Sequence, residues 1–101
     1  MRYMVYFEVP IEVGNRMDFE GEGPGPIFGH IMERFAPEAV YSQAGMRAVF
    51  MVVDLNEAQM TELMLVVSKT LGTYPDFAPI MSAEATMEVA AKAIIEAKKA
   101  P

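Results

Sequence analysis

A chain of 101 residues, 52% of them hydrophobic, has the length of one domain around one core. Its formal net charge of -6, from 8 basic and 14 acidic residues, argues against a nucleic-acid partner, because phosphate binding needs clustered Lys and Arg. The absence of Cys excludes disulfides, thiolate catalysis and Cys-based metal sites.

No apolar run is long enough to span a bilayer, and the chain opens on a strand pattern instead of a signal sequence. The expected compartment is therefore cytoplasmic, with no membrane partner. Ten Met and ten aromatic residues exceed what a lone small sheet needs, which points to an oligomer interface or an apolar cavity.

In chain order, Arg2 to Val9 reads as a strand, apolar on both faces and stopped by Pro10. Gly14 to Pro26 holds four of the seven Gly and two of the seven Pro and reads as a loop. Ile27 to Phe35 is a short helix with Ile27, Ile31 and Phe35 on one face, ended by Pro37. Ala39 to Gln43 is a short strand, joined through a tight Ala44-Gly45 connection to the apolar run Ala48 to Val53. Met60, Leu63, Met64, Val67 and Leu71 then fall at helical spacing.

That helix is well marked at its start. Asn56 and Gln59 stand where a capping box forms, and Leu55 and Met60 where a hydrophobic staple packs. Gly72 and Pro75 mark its end. Phe77 to Ser82 is a fourth strand, set at a sheet edge by Pro79. Glu84 to Lys99 is an Ala-rich third helix with thin apolar content, expected as an appended surface or interface helix.

The order β-α-β-β-α-β plus a helix predicts a ferredoxin-like α+β domain over residues 1–82, with a C-terminal helix at 84–99. Such a sheet is antiparallel, with its first and third strands central and two helices on one face. Both faces of those central strands are apolar, so a homodimer is expected in which two open faces meet around a barrel-like cavity. On this reading Arg47, Val49, Met51 and Val53 face the cavity, while Ala48, Phe50 and Val52 face the helices.

The MRYMVYFEV strand, the VYSQAG…RAVFMVVDL hairpin, the DLNEAQM helix start and the TYPDFAPIM strand resemble the small dimeric α+β barrel proteins. That group includes muconolactone isomerase, cofactor-free antibiotic-biosynthesis-type monooxygenases and bacterial families of unknown function. The likeness is nearest to one of those bacterial families, whose members open on a KYMV-type strand. It implies a dimeric barrel; no cofactor motif is visible in the chain, so no cofactor is expected. It is a pattern of elements, and it carries no catalytic residue over to this chain.

Candidate site residues follow from the expected strands. Glu8 ends the first strand and Arg47 begins the third, so an antiparallel pair makes them neighbours, either orienting a ligand or forming a rim ion pair worth about 0–1 kcal/mol. Tyr6, Tyr41 and Tyr74 could present hydroxyls to a cavity that Met51 also lines, or simply pack. His30 is the only His, a candidate acid or base with Glu33 or Glu38 near it in sequence, or an ordinary helix residue. Asp18, Glu20 and Glu22 do not have the spacing of a calcium loop and read as a solvated loop or lid; no metal site is expected.

Three functions stay open at this point. The first is binding of a small apolar or aromatic molecule in a dimer cavity. The second is a cofactor-independent monooxygenase or isomerase using Glu8, Arg47 and His30. The third is a structural or regulatory dimerisation module without a ligand.

Overall fold

The computed structural model describes residues 1–101. Four strands and four helices follow one another as β1 (Arg2–Glu8), α1 (Ile11–Glu20), α2 (Gly25–Phe35), β2 (Ala39–Ser42), β3 (Ala48–Asp54), α3 (Glu57–Leu71), β4 (Asp76–Pro79) and α4 (Ala83–Ala97). The fold is α+β, with one antiparallel sheet in the order β2-β3-β1-β4. β2 and β3 pair as expected, but Gln43 to Arg47 connect them, with Gly45 at φ 80° taking the left-handed turn position. β4 is an edge strand, where Pro79 lacks no ladder bond.

One face of the sheet is sealed. Val5 and Phe7 of β1 and Val49, Met51 and Val53 of β3 form a single buried cluster with Ile27, Ile31 and Phe35 of α2 and Leu63, Val67 and Leu71 of α3. The α3 start is built as its residues dictate. Asn56 accepts from the Gln59 backbone at 2.8 Å, and the Gln59 side chain accepts from the Asn56 backbone at 2.9 Å. Leu55 is buried and Met60 packs on the same core. At the far end Gly72, at φ 70°, closes α3 through a bond to the Ser68 carbonyl.

Two expectations are corrected here. The stretch expected as a loop from Gly14 to Pro26 contains most of α1 and the start of α2. Gly14 was a reason to read a loop, since Gly disfavours a helix interior. In the fold Gly14 is buried because the Arg47 side chain lies on it: a β-carbon there would stand 2.5 Å from Arg47 Cδ. The faces of β3 are also the reverse of the expectation. Val49, Met51 and Val53 face the helices, and Phe50 and Val52 lie on the other side. Both sets are apolar, so composition alone did not separate them.

No helix of the structure is long and apolar enough to cross a membrane.

Candidate functional site

The register of the sheet builds the open face row by row, because residues paired directly across antiparallel strands point the same way. Tyr6 of β1 lies opposite Phe50 of β3 and Asp76 of β4, and Phe50 lies opposite Tyr41 of β2. One row across all four strands is therefore Asp76–Tyr6–Phe50–Tyr41. The adjacent row, built by the same pairings, is Ala78–Met4–Val52–Ala39. The first row is aromatic with an acid at one end, and the second carries smaller, aliphatic or thioether side chains. Tyr6 and Phe50 rings are 4.6 Å apart and tilted, and Tyr41 is 66% exposed.

The polar groups of this face are unevenly distributed. At one end Arg2 donates twice to Glu38, at 3.2 and 2.7 Å, and Asp54 holds the Met1 amino group at 2.9 Å. At the other end Glu8 and Asp76 have no ion pair. The Tyr6 hydroxyl donates to Glu8. That bond, with partial burial and the negative charges of Glu8 and Asp76, pushes the Tyr6 phenol above the usual tyrosine range. Tyr6 is thereby kept as a proton-bearing donor on an acidic margin.

Glu8 and Arg47 do not meet. Their strands are adjacent, with Val9 N–H donating to the Arg47 carbonyl at 2.8 Å. Their side chains leave opposite faces of the sheet, as alternation requires. The Arg47 guanidinium reaches back over Gly14 and donates to Asp18 at 2.9 Å and to Asn15 at 3.0 Å. It clamps α1 to the start of β3. Both residues still border an open depression of about 670 Å³ at this end of the sheet, with Pro10, Met46 and Thr73. A smaller cleft of about 200 Å³ lies on the helix side, between Met17, Phe28, Met46 and Arg47.

The other candidates are dispersed. Met51 is 1% exposed within the helix-side core, so it lines no open-face cavity. Its partner in that expectation, Arg47, is likewise on the helix side. Tyr6 and Tyr41 share one row of the open face, and Tyr74 is exposed in the loop before β4. His30 is exposed on α2 beside Glu33 and Arg34 and shares no lining with Glu8. Arg34 bridges α2 to α3 through two bonds to Glu62, at 2.7 and 2.8 Å, which hold the Glu62 carboxyl below the usual range. Asp18 is taken by Arg47 on α1, so Asp18, Glu20 and Glu22 do not form the mobile acidic loop that their spacing suggested. No group of three or more His, Asp or Glu converges as a metal site.

Sequence reasoning missed Asp76 and the Asn15–Asp18 clamp. Asp76 enters the site only through its pairing with Tyr6, which depends on β4 register. Gly14 was the available signal for the clamp, as a glycine where another chain approaches closely.

Comparison with protein-family models, with curated proteins and with solved structures finds no match.

Proposed function

We propose that the protein is a homodimer joined through its open sheet face, and that it binds a small apolar or aromatic molecule between the two faces. The observation that carries this reading is the row Asp76–Tyr6–Phe50–Tyr41, apolar over three strands, with none of its side chains buried. An apolar sheet face left in water is an association surface. The neighbouring row of Ala78, Met4, Val52 and Ala39 leaves room between two such faces for a ligand body. The Glu8, Tyr6 and Asp76 margin would then receive the ligand's polar end, and its charge favours a cationic or hydrogen-bond-donating group.

The strand order β2-β3-β1-β4, with α2 and α3 on one face, supports a ferredoxin-like fold and a dimeric α+β barrel. A cytoplasmic setting accords with the lack of Cys. The enzyme reading draws less support from the geometry, since the Glu8 and Arg47 side chains leave opposite faces of the sheet and His30 lines a different surface from both.

Native mass spectrometry of protein purified from its own source tests the proposal. We expect a particle of two 11.2 kDa chains, or a multiple of two, carrying a retained small molecule, and Phe50→Lys removing that molecule together with the sheet-face contact. A monomer would sink the dimer. A dimer with no retained mass, and no enhancement of the neutral dye Nile red, would leave only the ligand-free module.

A further inference from the structure

α4 differs from the other three helices. None of its residues is buried, and Met87 and Ile94 are 74% and 53% exposed. It is nonetheless a well-started helix, with the Ser82 hydroxyl accepting from the Ala85 backbone at 3.0 Å. It projects from the body: the molecule measures 60 × 25 × 22 Å with a radius of gyration of 17.4 Å, against about 13 Å for a compact domain of this length. A lone helix of 15 residues is marginal in water without a packed face.

Five apolar residues of α4 form a regular series. Ala83, Met87, Ala90, Ile94 and Ala97 recur at intervals of four and three, the spacing of a coiled-coil seam. Large and small residues alternate along it. A parallel pair of such helices would set Met87 against Met87 and Ala90 against Ala90, bulky layers alternating with gaps. An antiparallel pair sets Met87 against Ala97, and Ile94 against Ala90, so that each large residue meets a small one and the layers interdigitate.

The flanking positions fit the same register. Beside the seam lie Glu84, Ala91 and Lys98, seven apart. In the antiparallel register Glu84 of one helix stands by Lys98 of the other, twice, and Ala91 meets Ala91 on the two-fold axis. A parallel register would bring Glu84 to Glu84 and Lys98 to Lys98. Opposed helix dipoles add to the antiparallel preference.

We propose that α4 pairs antiparallel with α4 of a second copy of this chain, as a self-association arm distinct from the open sheet face. Charge supports this occupant. Residues 1–82 hold eleven acidic and five basic side chains, whereas the remainder holds three of each. Two bodies of like negative charge repel, and two neutral arms that project from them do not. The contact is isologous, so one two-fold axis closes it. Val89 and Ile95 lie off the seam and stay exposed in the pair.

The absence of native Cys gives a direct test in the full chain. Ala91→Cys places one thiol beside its symmetry mate, and Val89→Cys places one on the outer surface. Under mild oxidation we expect Ala91→Cys to form a covalent dimer at least tenfold faster than Val89→Cys. Glu84→Lys should slow that cross-link, and adding Lys98→Glu should restore it. Equal rates for Ala91→Cys and Val89→Cys, with circular dichroism showing both folded, would overturn the proposal. Phe50→Lys in the Ala91→Cys background separates the two surfaces. A cross-link that survives it belongs to the arms, and one that vanishes with it reports only the sheet-face dimer and refutes independent arm pairing.

Discussion

Met51 and Phe50 are neighbours in one strand and have opposite fates. Met51 is sealed between β1 and the helices, while Phe50 is only partly buried in a row of aromatic residues. The two faces of this sheet are made from alternate residues of the same strands, and both are apolar. What separates them is what covers them. α2 and α3 bring Ile27, Ile31, Phe35, Leu63, Val67 and Leu71 to one side, while Met4, Tyr6, Phe50 and Val52 on the other stay partly exposed. Hydrophobicity made the strands, and the covering helices decided which face became core.

The largest expected effect breaks the comparison most directly. Met51→Ala should cost about 2–5 kcal/mol of folding stability, through lost burial and the cavity left behind. Phe50→Ala should cost only about 0.2–1 kcal/mol in the monomer, the scale of a cross-strand pair. Urea denaturation of both at a concentration where the chain is monomeric checks this, and equal losses would mean that the open face is not open.

A second, smaller effect concerns the clamp on the helix side. In the native background Gly14→Ala should lose about 1 kcal/mol, because a β-carbon 2.5 Å from Arg47 Cδ displaces the guanidinium from Asp18 and Asn15. With Arg47→Ala already in place, the same change should gain about 0.5–1 kcal/mol, since Ala then only improves the helix. A double-mutant cycle that shows the same sign in both backgrounds would refute the clamp.

The smallest effects are titrations that contrast the two faces. On the open face, Tyr6 is raised by its bond to Glu8. Its contribution to stability is therefore complete below the usual tyrosine range and lost as pH rises through the raised value. On the helix side, Glu62 is lowered by Arg34, so its contribution is complete above the usual carboxylate range and lost as pH falls through the lowered value. Glu8→Ala should return the tyrosinate absorbance step of Tyr6 toward the usual range, and Arg34→Ala should raise Glu62 by NMR titration. A Tyr6 titration unmoved by Glu8→Ala would remove the link between them.

Legibility in the sequence varied with how local the determining physics was. The α3 start was readable from Asn56, Gln59, Leu55 and Met60 because a cap is a contact between residues three to five apart. α1 was misread because Gly14 carries a local penalty for helix, and its reason for being glycine lies 33 positions away at Arg47. The Glu8–Arg47 pair failed on the same ground: adjacency of strands was inferred correctly, but side-chain alternation sends the two groups to opposite faces. Tyr6 and Tyr41 were found as candidates from residue type, and only the register joined them in one row with Asp76.

By itself the sequence determined the α+β class, the strands, the α3 caps and an unburied C-terminal helix, since each rests on periodicity or short-range contacts. The tertiary structure alone decided which face of β3 is core, where Arg47 points and that Asp76 stands beside Tyr6. Those choices depend on strand register and helix placement, which fix long-range neighbours that no local pattern encodes when both faces of a strand are equally apolar.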